Sequence, residues 1–265
     1  MSESADHVLQ ATAAEPQREG ISLERRRMLW LPVAAVAGAW IHGPPIFARN
    51  RQEAIATAAE TSLLSPLTLD RFGEHWAKLA DALKLGSLDD DESYAAQLAG
   101  ALARVPLAAL PRLEGGRGRR GFVAGPSWFV AECVTIEFRM EPEAELPFHN
   151  HPPQVVVTLC AEGEVGYAHY EIEGEAPPCT QIDGKEFRVR ETRSGFLTRN
   201  RSTSLTRARD GIHGFRAGKH GARIIDFTIS LTEDIETFSY VERSAKPVDE
   251  ARRIYSAVWS GKEAK

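Results

Sequence analysis

The sequence contains few cysteines and no long apolar run, and each absence excludes a class of protein. Its 265 residues include three cysteines, which form no Cys-x-x-Cys pair, so a cysteine metal knuckle is excluded. The odd number leaves at least one free thiol in a single chain. We expect Cys133 and Cys160, which lie in strand-like runs, to be buried and unreactive. No apolar stretch reaches the length of about 20 residues that a membrane-spanning helix requires.

The chain also has no net positive charge. The formal net charge of −5 gives the chain no overall attraction to nucleic acid or anionic lipid. A basic loop at residues 111–121 has no aromatic side chains that would stack on bases, so we predict a solvated loop and no nucleic-acid partner. Hydrophobic residues make up 43% of the sequence and charged residues 26%, and no segment repeats at a fixed period. This composition is typical of a soluble globular protein.

The amino-terminal segment has the pattern of a targeting signal. Residues 1–24 are polar, and Arg25-Arg26 then precede a short apolar run that contains a small-x-small site. The paired arginines before this run resemble a twin-arginine export signal. We therefore predict a twin-arginine-like signal segment at residues 1–41, a linker at 42–65, the twin-arginine (Tat) export machinery as a partner and a periplasmic location. The alternative is a membrane anchor at the amino terminus, and the pattern does not indicate whether the segment is cleaved.

Two helices are predicted within residues 66–110, and a third near the carboxyl terminus. Apolar residues fall on one face of each of the first two helices, which indicates an antiparallel hairpin packed on the main domain. The third helix is predicted at residues 247–260, where Ala251, Ile254 and Val258 share a helical face.

Residues 120–240 have the period-two pattern of β-strands. In one stretch Val134, Ile136 and Phe138 alternate with Cys, Thr and Glu, and further short strands follow at even spacing with Gly, Pro and Asp turns. Many short strands of this kind favour a double-sheet barrel. The predicted fold is therefore mainly β, a cupin (double-stranded β-helix or jelly-roll) barrel with an amino-terminal helical hairpin and a carboxyl-terminal helix.

Three histidines form a candidate metal site. His149 and His151 project from the same side of one strand, because strand side chains alternate between faces. Two adjacent imidazoles can hold one divalent metal at about 2.0–2.1 Å each. We predict His213 as the third ligand. His169 is the alternative third ligand, since it lies in a strand that can also face the barrel.

The segments around these histidines resemble the cysteamine dioxygenase and plant cysteine oxidase family. Val134–Pro153 is similar to the family's apolar strand, proline-bearing turn and metal-binding strand, and it contains Pro-Phe-His-Asn-His-Pro. Ser204–Phe215 is similar to its Gly-Asn-Ile-His segment, and Ala222–Leu231 to the strand that follows. The resemblance covers residues 120–232 and implies a cupin fold with Fe(II) held by three histidines.

The activity that the resemblance implies is that of a mononuclear non-haem iron thiol dioxygenase. Such an enzyme adds O2 to the sulfur of a small cysteamine- or cysteine-like thiol and yields a sulfinic acid. Val155 and Val156 stand where many cupins carry a metal-binding glutamate. Three neutral imidazoles then leave the metal its full 2+ charge, which favours an anionic thiolate ligand. Val156 also replaces the cysteine of the Cys-Tyr cross-link in mammalian cysteine dioxygenases, so we expect no such cross-link.

Two further residues take candidate catalytic roles from the resemblance. Asp226 falls on the family's aspartate, where it either accepts a hydrogen bond from a ligand histidine or binds the amine of an aminothiol. Tyr170 lies where the family has a Tyr-Asp pair, and it either lines the pocket or belongs to the core. The sequence departs from the family in two places. Pro153-Gln154 replaces the family's Gly-Met, and Thr232 replaces the start of its Pro-Pro-Tyr. These departures leave the identity of the thiol substrate unspecified.

Two other interpretations stay open. A non-redox cupin would hold zinc, manganese or nickel and act as an isomerase, a lyase or a small-ligand-binding module. A structural cupin would hold no metal. The missing glutamate favours the thiol dioxygenase over the non-redox cupin without excluding the latter, and a structural cupin would leave the histidines without a role. The sequence leaves the oligomeric state open, with a monomer favoured.

Overall fold

The structure, a computed structural model, describes residues 65–260 except 89, 120, 152, 208 and 232–238. The predicted signal segment and nearly all of the predicted linker lie outside the described residues. No helix in the described part of the chain is long and apolar enough to cross a membrane.

Two helices, α1 (Leu69–Lys84) and α2 (Asp91–Leu102), lie where the sequence predicts the hairpin. A side-chain oxygen caps the start of each helix. The hydroxyl of Thr68 caps α1 and the carboxylate of Asp90 caps α2, and each accepts a hydrogen bond from the backbone N–H three residues later. Both helices pack on one face of the sheet and bury an apolar cluster that includes Phe227.

The described strands form one sheet of ten strands. In chain order they are β1 (Arg117–Arg119), β2 (Phe122–Val130), β3 (Cys133–Met140), β4 (Glu145–Asn150), β5 (Gln154–Glu173), β6 (Glu186–Thr198), β7 (Arg201–Leu205), β8 (Ile212–Ser230), β9 (Tyr240–Arg243) and β10 (Ile254–Ser260). The two longest, β5 and β8, organise the others.

Strands β5 and β8 pair along most of their length and shape the barrel. On its other side β8 pairs with β4 near its start and with β3 near its end. Pairings then run from β5 to β6, β10 and β9, and β9 returns to β4 through the pair of Tyr240 and His149. These six strands, β4, β8, β5, β6, β10 and β9, form a closed ring. The architecture is the cupin barrel that the sequence predicts.

The prediction of a carboxyl-terminal helix at residues 247–260 is wrong. Strand β10 occupies Ile254–Ser260, pairs with β6 and β9, and completes the closed ring. Within it Ala257 and Trp259 are buried and alternate with half-buried residues, which is the period of a strand. A few apolar residues at helical spacing do not exclude a strand in so short a segment, and pairing with neighbouring strands decides the outcome.

The two faces of the sheet carry different side chains. One face of β8 carries Ile225 and Phe227, which pack against the helices. The opposite face carries Asp226, whose Oδ2 lies 4.0 Å from Nε2 of His213, so both residues belong to one side of the sheet. We call this side the histidine face, defined by His213 and Asp226.

Two cysteines are buried as the sequence predicts. Burial raises the pKa of the Cys133 thiol to about 12 and that of the Cys160 thiol to about 11. Because the thiolate is the reactive form, neither thiol is reactive at neutral pH.

Candidate metal centre

Backbone pairing brings the predicted ligands together. His149 on β4 lies directly opposite His213 on β8 in the register of the two strands. His151 follows β4, and its backbone N–H donates to the Gly211 carbonyl at 3.1 Å, which holds this segment against the start of β8. The rings of His149 and His213 are therefore neighbours across one strand pair, and the His151 ring lies beside both.

The three imidazoles converge on one point. Nε2 of His213 lies 3.0 Å from Nε2 of His149 and 3.0 Å from Nε2 of His151. Two nitrogens bound to one metal at about 2.0–2.1 Å, and at a right angle to each other, lie about 2.9 Å apart. One ligand atom from each residue lies within 4.8 Å of the others. The three side chains are therefore close enough to hold a single metal ion.

Hydrogen bonds at Nδ1 define the tautomers of two ligands. Nδ1 of His149 donates to the carbonyl oxygen of Pro147 at 2.8 Å, because a carbonyl can only accept. Nδ1 of His151 donates to Oε1 of Gln154 at 2.9 Å. In both neutral rings the lone pair is then on Nε2, the atom that faces the other two rings. This is the tautomer that a metal requires.

Gln154 is a neighbour of the candidate ligands that the sequence does not identify as part of the site. The sequence marks it only as a departure from the family pattern, whereas the structure shows its side-chain amide holding the His151 ring. Its Nε2 donates in turn to Oγ of Ser230 at 3.4 Å, which orients the amide. A polar side chain three residues after a ligand histidine is the signal that would have identified it.

Burial keeps the ligand histidines neutral. It lowers the pKa of His149 to about 3, with a further effect from the neighbouring His151, and it lowers the pKa of His151 to about 4. The pKa of His213 is also well below its usual value, chiefly through burial and then through the other two rings. A neutral imidazole is the form that binds a metal, so the site is ready for a cation at neutral pH.

Asp226 lies next to the point where the rings converge. Its Oδ1 accepts a hydrogen bond from the Thr158 hydroxyl at 2.5 Å, and its Oδ2 has no hydrogen-bond partner among the described residues. Burial raises the pKa of this carboxyl to about 7. Oδ2 faces Nε2 of His213, not Nδ1, so the structure places Asp226 on the side of the ring where a metal or a substrate would lie. This geometry does not fit the expected role of fixing the tautomer of His213.

Tyr170 lies on the other face of β5. Its ring packs against Phe148 at 4.9 Å and Tyr255 at 5.8 Å between centroids, and the Arg243 guanidinium lies 5.5 Å from its centre. The neighbouring residue, His169, points to the histidine face, so Tyr170 points away from it. Of the two roles that the sequence leaves open, the structure gives Tyr170 the core position.

Tyr240 is the tyrosine that the structure places beside the ligands. It is the backbone partner of His149 where β9 returns to β4, and the two ring centroids are 6.4 Å apart. No pattern in the sequence indicates this neighbour, because it depends on a pairing between strands that are far apart in the chain.

His169 is a neighbour of the site and not one of its converging ligands. It lies opposite His213 in the strand register, with ring centroids 5.8 Å apart. Its Nδ1 is 3.2 Å from Nη2 of Arg193, and its Nε2 is 3.3 Å from Oγ1 of Thr203. The structure therefore favours His213 over His169 as the third ligand.

The donor set fits a divalent transition metal. Three neutral imidazoles whose Nε2 atoms converge are ligands for iron, nickel, copper and zinc. Within the described residues, the group of converging ligands contains no carboxylate. His149, His151 and His213 would hold the metal and leave its remaining positions for other ligands.

No protein-family model matches the chain, and no curated protein matches it either. Solved structures similar to the chain include the following three. KdgF from Halomonas sp. is 13% identical, with 44% of this chain and 84% of that chain covered and a TM-score of 0.31. A conserved protein with a double-stranded β-helix domain from Klebsiella pneumoniae is 12% identical, with 47% and 89% covered and a TM-score of 0.34. An RmlC-like cupin from Shewanella frigidimarina is 20% identical, with 46% and 86% covered and a TM-score of 0.31.

These identities and TM-scores are low. The cupin fold of the chain rests on its own strand pairings, and its chemistry has to be argued from its own residues.

Proposed function

We propose that the protein is a mononuclear non-haem Fe(II) thiol dioxygenase that converts a small thiol into a sulfinic acid. The observation that supports this most is the ligand group of His149, His151 and His213, which contains three neutral imidazoles and no carboxylate among the described residues. Such a group leaves a bound divalent ion its full charge. An anionic thiolate is the substrate that this charge favours.

The overall reaction joins a thiolate, RS⁻, and O2 to give a sulfinate, RSO2⁻. Both oxygen atoms pass to sulfur, which is oxidised by four electrons as O2 is reduced. When bound, Fe(II) supplies the redox activity that O2 requires and the charge that holds the substrate as a thiolate. The protein supplies orientation and exclusion of water.

The side chains around the site have separate roles in this proposal. The Pro147 carbonyl and the Gln154 amide orient two ligand rings. Oδ2 of Asp226 accepts the proton that the thiol loses, because this oxygen is buried beside the three histidines and lacks a hydrogen-bond partner among the described residues. The resemblance of the histidine segments to the cysteamine dioxygenase and plant cysteine oxidase family supports the same assignment.

Metal analysis and oxygen uptake test the proposal. Protein purified without oxygen should contain iron, and it should consume O2 when given cysteine, cysteamine, mercaptopropionate or a peptide with amino-terminal cysteine. Mass spectrometry should show a gain of two oxygen atoms on the thiol that is used. Zinc at full occupancy together with no thiol-dependent oxygen uptake would refute it.

A second candidate is a non-redox cupin enzyme, an isomerase or a lyase. The observation that favours it is the buried Asp226 carboxyl, whose Oδ2 lies 4.0 Å from Nε2 of His213, in a position that suits a general base beside a metal that polarises a carbonyl. Such an enzyme would keep its activity without oxygen and with zinc or manganese in the site. Oxygen uptake therefore separates the two candidates directly.

A further inference from the structure

A row of polar side chains extends the metal site across the histidine face. His169 on β5 lies opposite His213 on one side and opposite Arg193 of β6 on the other side. Thr203 of β7 completes the group, since its Oγ1 lies 3.3 Å from Nε2 of His169. Thr203 and His169 are both buried. These residues are not among the three converging histidines, and the proposed thiol oxidation assigns them no role.

The hydrogen bonds of this row all run in one direction. Nη2 of Arg193 donates to the Ser204 carbonyl and to Asp210, and it also lies 3.2 Å from Nδ1 of His169. Because a guanidinium can only donate, this contact makes Nδ1 an acceptor. In the neutral ring the proton is then on Nε2, which donates to Oγ1 of Thr203. Asp210 holds Arg193, the first donor of this series, through a contact of 2.5 Å between Oδ2 and Nη2. The distance of 3.7 Å between Oδ2 of Asp210 and Nδ1 of His169 is too long for a hydrogen bond.

The hydroxyl hydrogen of Thr203 is the last donor in this series of hydrogen bonds. Its oxygen already accepts from His169, and among the described residues no acceptor is paired with its hydrogen. Donors in series polarise one another and strengthen the last one. Thr203 therefore presents a hydrogen-bond donor on the histidine face.

An acceptor lies across the sheet from this donor. Thr158 is the backbone partner of Thr203 on one side and of Asp226 on the other, so the three residues form a second row across β7, β5 and β8. The Thr158 hydroxyl donates to Oδ1 of Asp226, and Oδ2, which is buried, has no partner among the described residues. One donor and one acceptor thus stay unpaired on the histidine face, and a bound molecule would complete both.

We propose that the Thr203 hydroxyl donates a hydrogen bond to an oxygen atom of the substrate, and that the preferred substrate is a small thiol that also carries a carboxylate or a hydroxyl. His169 and Arg193 are positioning residues that act through Thr203. This inference rests on the proposed thiol chemistry and names its substrate class.

Cysteine and cysteamine differ by one carboxylate. Both carry an ammonium group, so that group does not distinguish them. Only cysteine also carries a carboxylate that accepts from Thr203, and cysteamine leaves this buried donor without a partner. A buried donor that loses its acceptor weakens binding by about tenfold or more. Cysteine is therefore the tighter ligand of the pair.

Anaerobic titration of the Co(II)-substituted protein tests this without relying on turnover. The visible spectrum of cobalt reports thiol binding, and the titrants are cysteine and cysteamine. Thr203→Val, which removes only the hydroxyl, should weaken cysteine binding about tenfold and leave cysteamine binding unchanged. Thr203→Ser should restore the preference for cysteine. Thr135→Val is the matched control, because it removes a buried hydroxyl bonded to Ser127 on the helix side of β3.

Other results would overturn the proposal, and they separate a wrong role for Thr203 from wrong thiol chemistry. Equal effects of Thr203→Val on both thiols, or no effect on either, would exclude Thr203 as a contact for substrate oxygen and leave the dioxygenase proposal standing. Nitrogen NMR showing the His169 proton on Nδ1 would reverse the hydrogen-bond chain and exclude the same contact. Failure of both thiols to change the cobalt spectrum of the unmutated protein would refute the thiol chemistry itself.

Discussion

Gln154 holds the ring of His151, one of the three candidate metal ligands, through a single hydrogen bond, so its replacement tests the site at the scale of one residue. Gln154→Leu removes the acceptor for Nδ1 of His151 and lets the ring turn. We expect metal affinity to fall by about 10- to 100-fold, as for other outer partners of ligand histidines. Competition with a chromogenic chelator measures the affinity. Gln154→Glu keeps an acceptor and serves as the control. Equal affinities in Gln154→Leu and the unmutated protein would contradict the assignment.

His213 and His169 face each other across one strand pair, and removing each in turn separates a ligand from a neighbour. His213→Ala removes one of three converging nitrogens and should abolish stoichiometric metal binding. His169→Ala should keep the metal, because the nitrogens of this ring point to Arg193 and Thr203. Elemental analysis after dialysis measures the metal content. Loss of metal from His169→Ala, with retention in His213→Ala, would reverse the assignment of the third ligand.

At the scale of elements, the contact between β4 and β8 determines how far apart two ligand strands lie. Gly214 follows His213, and a Cβ at this position would lie 2.6 Å from the ring of Phe148, the residue before His149. Gly214→Ala should therefore push the strands apart and reduce both metal affinity and thermal stability. Gly100→Ala is the control, because a Cβ there meets open space and alanine favours the interior of α2 by about 1 kcal/mol. A Gly214→Ala variant with unchanged metal affinity would show that the ligands do not depend on this packing.

Elements with a strong local pattern were predictable from the sequence, and elements that depend on distant pairing were not. The alternation of β3 and the capped, amphipathic α1 follow from local periodicity. Strand β10 does not, because its short apolar pattern suits a helix equally well and only pairing with β6 and β9 settles it.

The candidate site shows the same division. His149 and His151 are recognisable from their spacing, and His213 from its resemblance to a family segment. Tyr240 and the row from His169 to Thr203 depend on strand register, which no local pattern encodes. The position of Tyr170 in the core was one of two open alternatives, since an aromatic residue in a strand suits either face.

At the scale of the whole molecule, buried titratable groups make the stability of the metal-free protein depend on pH. The unfolded chain binds protons at its histidines near pH 6.5, whereas His149 and His151 in the folded chain bind them only near about pH 3 and about pH 4. The unfolded state therefore binds more protons between pH 6.5 and 4, and stability falls as the pH is lowered through this window. Asp226 acts in the opposite direction, because its folded-state pKa of about 7 lies above its usual value.

Thermal unfolding with a chelator present measures this balance. The melting temperature should fall as the pH is lowered from 6.5 to 4.5, since several histidines outweigh one carboxyl. Asp226→Asn removes the opposing group and should make the fall steeper. A flat profile for the unmutated protein, or a shallower one for Asp226→Asn, would contradict the burial of these groups.

The proposed export signal, residues 1–41, lies outside the described residues. We propose that residues 1–41 direct the folded protein through the twin-arginine pathway. The paired arginines support this, and loading iron before export would avoid competition from copper and zinc. A reporter fused to residues 1–41 should reach the periplasm, and the double variant Arg25→Lys with Arg26→Lys should stay inside the cell. Cytoplasmic retention of the unmutated fusion would exclude the proposal.

The return of β9 to β4 has a consequence for biosynthesis. The backbone partner of a metal ligand, Tyr240, and the strand that holds it, β10, belong to the last part of the described chain. While the ribosome is still translating residues 240–260, β4 has an exposed backbone edge beside His149. Such an edge can pair with another nascent chain. The final strands therefore both close the barrel and cover this edge of β4.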